Sequence, residues 1–182
     1  MKIGIINGSI RDGRAGAGVG EFVKEIADAR GGDVNYELID LKSFNLPLFT
    51  GDTLPMMMNK QYDTPEATAW SQAIDACDAY VVITPEYNHS VPGALKNAFD
   101  SLGAEWVGKV VGFVGYGAVG GVRAIEPWRT IVANFSMHDV RAEVNLNLFV
   151  DWNDEGFAPT DRRADEVNAV FDAVEELAAK LA

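Results

Sequence analysis

Two arginines stand in a glycine-rich stretch near the amino terminus, where they could bind an anion. The stretch reads NGSIRDGRAGAG and lies between an apolar run and an amphipathic segment. Glycines allow a ligand close to the backbone, and a following helix offers free N–H groups. Ser9 adds a hydroxyl, while the guanidinium groups of Arg11 and Arg14 suit a phosphate. The pattern therefore predicts a phosphate-binding loop.

Two common nucleotide signatures are absent from this loop. Gly8 and Gly13 have the spacing of a Walker A motif, but Arg14 and Ala15 replace its lysine and its Ser or Thr. The loop also lacks the G-x-G-x-x-G pattern of a dinucleotide turn. A small phosphomonoester therefore fits the loop better than a diphosphate or a nucleoside triphosphate.

A second candidate loop reads TPEYNHSVPGALKNAFD, over residues 84–100. Tyr87 offers an aromatic face, and Asn88 offers both a donor and an acceptor to the polar edge of a heterocycle. Glu86 and His89 could exchange protons, but the sequence shows neither a partner nor a pocket for them. For Glu86, a structural or interface ion pair is the favoured interpretation.

A third loop contains Gly115, Gly117 and Gly120, which together spell G-x-G-x-x-G. The motif follows the fourth predicted strand instead of the first, so it is weak evidence for a dinucleotide site. We interpret it as a flat glycine wall against which a planar ring can lie. A tight turn packed closely on the sheet is the alternative.

Alternating apolar runs and amphipathic segments predict the elements that position these loops. The predicted strands are Lys2–Asn7, Val34–Leu41, Ala79–Thr84, Lys109–Gly115 and a fifth within His138–Phe149. The predicted helices are Ala17–Arg30, Glu66–Ala76, Pro92–Leu102, Val122–Asn134 and a last one that runs to the C-terminus. Residues 42–65 show no period and are predicted to form a long loop.

Five strand–helix units predict an α/β fold with a parallel sheet covered on both faces. Five strands in a chain of this size favour a flavodoxin-like three-layer sandwich with strand order 2-1-3-4-5. The six-stranded Rossmann order is the competitor. In such sheets ligands bind at the carboxyl ends of the strands near the topological switch, where all three candidate loops would meet. Trp106 or Tyr116 is expected to border that site.

Composition narrows the class of protein further. The chain has 182 residues, which suits one domain over residues 1–182. A net charge of -12 with scattered lysines and arginines argues against nucleic-acid binding. One cysteine, Cys77, and two histidines argue against a metal centre. No apolar segment long enough for a membrane span is evident, and a cytoplasmic location is expected.

The strings GSIRDGRAG, TPEYNHSVPGALKNAFD and GYGAVGGVRA resemble the NADPH-dependent FMN reductase family. Members of that family include bacterial quinone, chromate and azo-compound reductases. The three strings occur in the family's order and spacing over about residues 1–130, and the second is highly specific. The C-terminal third matches only in general pattern.

The resemblance implies a noncovalently bound FMN that passes electrons from NADPH or NADH to quinones, flavins or xenobiotic acceptors. It implies no catalytic side chain, because FMN carries the chemistry, and it implies a homodimer or homotetramer. Glu86 and Lys96 are expected at the subunit interface. The implied cofactor-binding residues are Ser9, Arg11, Arg14, Gly16, Ala17, Pro85, Glu86, Tyr87, Asn88, Gly117, Gly120 and Gly121.

The chain departs from the family pattern at two places. Arg14 stands near a position where many members have serine, and it is expected to supply that phosphate contact instead. Gly115 and Tyr116 stand where many members have a serine before the glycine loop. The alternative functions are a flavodoxin-type electron carrier without NAD(P)H turnover and a flavin-free interaction or regulatory protein on the same fold.

Overall fold

A computed structural model describes residues 1–182 and contains a five-stranded parallel sheet in the order β2-β1-β3-β4-β5. Its strands are β1 Lys2–Asn7, β2 Asn35–Asp40, β3 Ala79–Pro85, β4 Val110–Gly117 and β5 His138–Asn147. The predicted strand order is thereby confirmed, and the six-stranded alternative is excluded.

Five helices cover the two faces of the sheet. They are α1 Gly16–Ala29, α2 Pro65–Asp75, α3 Gly93–Asp100, α4 Val122–Asn134 and α5 Arg162–Leu181. Helices α1 and α5 pack on one face, and α2, α3 and α4 pack on the other. None of these helices is both long and apolar enough to cross a membrane.

The core has two halves because each central strand is buried on both faces. Along β3, Val81 and Ile83 point towards α1 and α5, whereas Tyr80 and Val82 point towards the opposite helices. This alternation explains why the strand reads as a continuous apolar run. Trp106 is fully buried in the second half, stacked on Phe99 at 4.2 Å, so it does not border the site.

The connections that leave β1 and β3 run to opposite sides, which opens a crevice at the carboxyl edge of the sheet. Strand β1 lies between β2 and β3, and the loops after β1, β3 and β4 all leave at this edge. The switch point expected from the sequence is therefore present.

Residues 42–64, which we call the strap, cross the outside of α3 before α2 begins. Two short 3₁₀ turns, Leu41–Phe44 and Pro55–Met57, give the strap some regular structure that the sequence did not predict. The side chain of Asn97 fixes it by donating to the carbonyl of Pro47 at 2.9 Å and accepting from the amide of Phe49 at 2.9 Å.

A buried carboxylate holds the far end of the strap. Glu105 is fully buried and accepts from the Tyr62 hydroxyl at 2.8 and 3.0 Å, the Ser71 hydroxyl at 2.6 Å and the Gly103 amide at 3.1 Å. These three hydrogen-bond donors satisfy the carboxylate, which has no lysine or arginine as an ion-pair partner. Burial and the nearby Glu105 charge both raise the pKa of Tyr62 above its ordinary value, so its hydroxyl keeps its proton.

Candidate functional site

The glycine-rich loop after β1 is closed by the side chain of Asn7. Its Nδ2 donates to the carbonyl of Gly16 at 3.0 Å, and its Oδ1 accepts from the amide of Ser9 at 3.5 Å. The side chain is buried, so both bonds are shielded from water. One amide therefore ties the two ends of the loop together. The sequence analysis missed this role, although a polar residue ending an apolar strand was a visible signal.

The amino terminus of α1 is open to an anion. Helix α1 begins at Gly16, and no side chain caps it and no acidic residue stands in its first turn. The amide of Gly16 makes no hydrogen bond within the chain, and that of Ala17 makes only a long one, at 3.4 Å to the carbonyl of Arg14, so this helix end can donate to a ligand. A Cβ at Gly16 would lie 2.5 Å from the Tyr116 hydroxyl, so this helix end is closely packed against β4.

Arg11 has no carboxylate partner, which is unusual in this protein. Twelve of the fifteen lysines and arginines lie within 4.0 Å of a carboxylate oxygen, although the chain has 27 acidic residues. The three exceptions are Arg11, Lys109 and Arg141, and the Lys109 ammonium donates to the carbonyl of Cys77. Only Arg11 stands at the carboxyl edge of the sheet, where its charge is available to an anion.

A cleft of about 140 Å³ joins the candidate loops. It is lined by Ser9, Arg11, Arg14, Ala15, Pro85, Glu86, Tyr87, Tyr116, Gly117 and Leu148. A more open depression continues from it along Arg11, Glu86, Tyr87 and Asn88. The structure thus brings together most of the site residues expected from the sequence.

Two tyrosines form the wall of the cleft behind Ser9. The Ser9 hydroxyl lies 3.3 Å from the Tyr87 hydroxyl, and the Arg11 guanidinium lies 6.0 Å from the Tyr87 ring centroid. Tyr116 is buried, and this burial raises its pKa to about 12. It is therefore a neutral hydroxyl group at physiological pH. Ser9 itself is almost fully buried at the floor.

Residues 87–90 form a tight hairpin turn at the rim. The amides of Tyr87 and Ser90 each donate to the other's carbonyl, at 3.0 and 3.1 Å. Asn88 and His89 between them have φ values of 50° and 72°, which is the signature of a type I′ turn. The turn holds the exposed side chains of Asn88 and His89 on a rigid backbone. The His89 side chain makes no hydrogen bond within the chain, so nothing orients it for acid–base catalysis.

Glu86 is engaged within the chain. Its carboxylate accepts from the backbone amide of Arg123 at 3.2 Å and lies 3.6 Å from that residue's guanidinium. Arg123 stands in the first turn of α4, where a carboxylate is stabilised by the helix dipole. Glu86 therefore caps α4 and fixes the loop after β3 to that helix. This supports the structural ion pair expected from the sequence over an acid–base role.

The glycine motif after β4 combines both interpretations made from the sequence. Gly117 lines the cleft, as the glycine-wall interpretation requires. Gly120 and Gly121 instead form a tight turn, with φ values of 77° and 75°. A Cβ at Gly121 would lie 2.5 Å from the backbone nitrogen of Tyr116, so the turn is packed directly on the strand.

The loop after β5 also reaches the cleft, which the sequence analysis missed. The amide of Leu148 donates to the carbonyl of Gly117 at 3.1 Å, and Asn147 Nδ2 donates to the carbonyl of Ala118 at 3.0 Å. The buried carboxylate of Asp151 accepts from the amide of Asn147 at 2.8 Å and is paired with Arg163 at 2.8 Å. Arg163 lowers the pKa of Asp151 below its ordinary value, against the opposing effect of burial.

Arg14 differs from Arg11 in having a complete set of partners. Its guanidinium donates to both carboxylate oxygens of Asp40, with one distance of 2.8 Å, and to the carbonyl of Ser9. Its side chain is only 12% exposed, although it lines the cleft. Asp40 was not predicted, because it lies at the end of β2 and 26 residues away along the chain.

No group of three or more His, Cys, Asp or Glu side chains is arranged to hold a metal ion. The donors at this site are instead a guanidinium, a hydroxyl and helix amides beside an aromatic wall. That set fits the phosphate and the ring of a flavin mononucleotide.

Comparisons with known proteins agree with this chemistry. The family model described as NADPH-dependent FMN reductase matches residues 1–151. A Nectria sp protein named NAD(P)H-dependent FMN reductase is 30% identical, covering 97% of this chain and 96% of the relative. A Saccharomyces cerevisiae protein of the same description is 32% identical, covering 76% of each chain. A Solanum tuberosum NAD(P)H:quinone oxidoreductase is 28% identical, covering 100% of this chain and 94% of its own.

Solved structures show the same fold. The flavoenzyme NAD(P)H:(acceptor) oxidoreductase from Paracoccus denitrificans superposes with a TM-score of 0.75 at 21% identity, covering 96% of this chain and 97% of its own. An apo NADH:FMN oxidoreductase gives a TM-score of 0.69 at 20% identity, covering 100% of this chain and 90% of its own.

Proposed function

The chain belongs to the NADPH-dependent FMN reductase family, and from this premise we propose that its electron acceptor is a quinone or another small aromatic molecule. The chain is an NAD(P)H-dependent FMN oxidoreductase of the flavodoxin-like fold, and the flavodoxin-type carrier is not favoured. Relatives named quinone reductase in Escherichia coli and NADPH azoreductase in Bacillus sp. support the class of acceptor.

The observation that carries the assignment of the site is Arg11 beside an uncapped helix. In a chain of net charge -12, one arginine at the carboxyl edge of the sheet has no carboxylate oxygen within 4.0 Å, and the adjacent N-terminus of α1 has no side-chain cap. Both features favour a bound anion. We assign the FMN phosphate to Arg11, the Ser9 hydroxyl and the amides around Gly16 and Ala17.

The flavin ring is assigned to the two loops beyond the phosphate. Pro85, Glu86, Tyr87 and Asn88 supply one side of the ring site, with Asn88 held at the rim by its turn. Gly117, with the turn at Gly120 and Gly121, supplies the side nearer α4. These backbones are fixed by the Glu86–Arg123 contact and the Gly121 packing, so the ring site is formed before the ligand binds.

FMN held by Arg11, Ser9 and the amides around Gly16 would supply the redox chemistry, which is hydride uptake from NAD(P)H and electron transfer to the acceptor. The chain's own part is to bind, to orient and to limit access of water. Tyr116 keeps its proton because its pKa is raised, and the Glu86 carboxylate is paired with Arg123. We therefore assign neither group a role in proton transfer. No side chain is assigned a nucleophilic or general acid–base role.

We further assign the functional form to a homodimer or homotetramer. Exposed apolar side chains near the site and on the strap support association, because large apolar groups are seldom left in water without a partner. They are Leu48, Leu54, Met56, Met57, Phe149 and Val150. Sedimentation equilibrium at several concentrations measures the state directly, and a monomer at every concentration would contradict the assignment.

The decisive test is a visible spectrum of the purified protein after FMN is added and the excess removed. NADPH or NADH is then added without oxygen, followed by a quinone. Retained flavin that bleaches and is reoxidised by the quinone would support the whole proposal. Retained flavin that neither nucleotide bleaches would point to an electron carrier, and an absence of retained flavin would refute the assigned site.

A further inference from the structure

Arg14 and Asp40 form a brace between the phosphate loop and the end of β2. We propose that this brace positions the loop for the FMN phosphate, and that Arg14 is a positioning residue whose guanidinium pairs with Asp40 and does not contact the phosphate. The proposal rests on the proposed function, since it concerns how the same loop holds FMN. It adds Asp40 to the residues on which cofactor affinity depends.

The first argument is the geometry of Arg14. Its two terminal nitrogens donate to both oxygens of Asp40, which is the fork-to-fork pairing typical of strong arginine–carboxylate contacts. One of the same nitrogens also donates to the carbonyl of Ser9. Ser9 is the residue whose hydroxyl we assign to the phosphate, so the brace fixes the backbone of a ligand-contacting residue.

The second argument is burial. The Arg14 side chain is 12% exposed and that of Asp40 is 35% exposed, so the pair is partly removed from water. Turning Arg14 towards a phosphate would leave the Asp40 carboxylate without its cation beside the incoming anion. An uncompensated, partly buried charge of the same sign as the ligand is unfavourable. Arg11 has no such commitment and is the available cation.

The third argument is how Asp40 is itself held. It accepts from the amide of Lys42 at 3.2 Å, and its carbonyl accepts from the Ser43 hydroxyl at 2.8 Å. Strand β2 pairs with β1 in register, with Asp40 opposite Asn7. The two ends of the loop are therefore fixed by Asn7, and its middle is fixed by the Arg14–Asp40 brace.

The two roles of Arg14 predict opposite effects of Asp40→Asn. Asparagine keeps an oxygen for the Lys42 amide and is well tolerated at a helix cap, so the local fold is preserved. If Arg14 positions the loop, loss of the Asp40 charge loosens the loop and weakens FMN binding. If Arg14 contacts the phosphate, Asp40→Asn releases its charge and FMN binds equally well or more tightly.

The experiment is a double-mutant cycle read by the quenching of FMN fluorescence. The dissociation constant is measured for the wild type, Arg14→Gln, Asp40→Asn and the double variant. We expect each single variant to bind FMN about tenfold more weakly, which corresponds to ~1.4 kcal/mol. The double variant is expected to be no worse than about the larger single effect, because both substitutions break the same contact.

Riboflavin, which lacks the phosphate, provides a second readout that general damage to the fold would not spare. We expect all four proteins to bind riboflavin alike, while their preference for FMN over riboflavin falls. Lys60→Gln is the matched control, because it removes the exposed Lys60–Asp75 ion pair between the strap and α2 and should leave FMN affinity unchanged.

The outcomes separate the two proposals. Failure of the wild type to bind FMN would refute the proposed function itself. Tight binding by the wild type with unchanged or tighter binding by Asp40→Asn would overturn the brace and leave the proposed function standing. Equal losses for FMN and riboflavin would also overturn it, because the effect would not lie at the phosphate. Additive losses in the double variant would show two independent roles and refute a shared one.

Discussion

Replacing Arg11 with alanine tests the phosphate assignment most directly. Arg11 has no carboxylate partner, so its removal breaks no ion pair of the free protein, and the contact with the Tyr87 ring is worth only about 0.5 kcal/mol at an exposed site. A hydrogen bond to a charged group contributes roughly 1.5–3 kcal/mol. Arg11 is exposed, so the lower part of that range applies. We therefore expect FMN to bind about 10–30-fold more weakly, with riboflavin affinity unchanged.

The assay is a fluorescence titration of the apoprotein with FMN at low and high salt. Because the contact is charged and exposed, the difference between Arg11→Ala and the wild type should shrink as salt rises. Arg141→Ala is the matched control, since Arg141 is also exposed and has no carboxylate partner but lies along β5, away from the cleft. Equal FMN affinity of Arg11→Ala and the wild type at low salt would refute the reasoning, and so would an equal loss in Arg141→Ala.

Three further predictions concern the supports of the site. Tyr62→Phe removes a hydroxyl donor from the buried Glu105 carboxylate, so we expect about 1–3 kcal/mol of destabilisation and a melting temperature lower by roughly 2–4 °C per kcal/mol, with FMN affinity retained. Gly121→Ala places a side chain at φ 75° against the backbone of β4, so we expect at least about 1–2 kcal/mol of destabilisation in urea unfolding, and a wild-type midpoint would contradict the packing described. Arg163 lowers the pKa of Asp151 in the folded protein, so its stabilisation is present above the unfolded pKa and is lost as pH falls through the folded value. The melting-temperature gap between the wild type and Asp151→Asn should accordingly be constant from about pH 5 to 8 and narrow below about pH 4, and a gap independent of pH would refute the pairing.

The sequence predicted the parts of the fold that depend on local periodicity. Helix α4 has the predicted bounds, Val122–Asn134, and β1 has the predicted bounds, Lys2–Asn7. The buried strand β3 was visible as an apolar run because both of its faces are covered. The small hairpin Trp152–Asn153 with Gly156–Phe157 was not predicted, because strands of two residues have no period.

The sequence predicted the types of residue at the site better than their partners. Arg11 and Arg14 look alike in the sequence, and only the three-dimensional structure shows that Asp40 pairs with one of them. The same holds for Glu105, whose three donors come from the strap, from α2 and from its own loop. Such pairings depend on strand order and helix packing, which local pattern does not encode.

Because of the way the strap is attached, the choice of acceptor and the affinity for FMN could change independently, in evolution or by protein engineering. Lys42 and Ser43 at its start hold Asp40, whereas the hydrogen bonds further along it, to Asn97 and Glu105, lie outside the cleft that we assign to FMN. A replacement segment that kept Lys42, Ser43 and those two fastenings could change in length and side chains while the loops at the sheet edge stayed in place. The strap is thus an exchangeable module, and a graft from a relative would be expected to alter the choice of acceptor or subunit contacts while leaving cofactor affinity as it was.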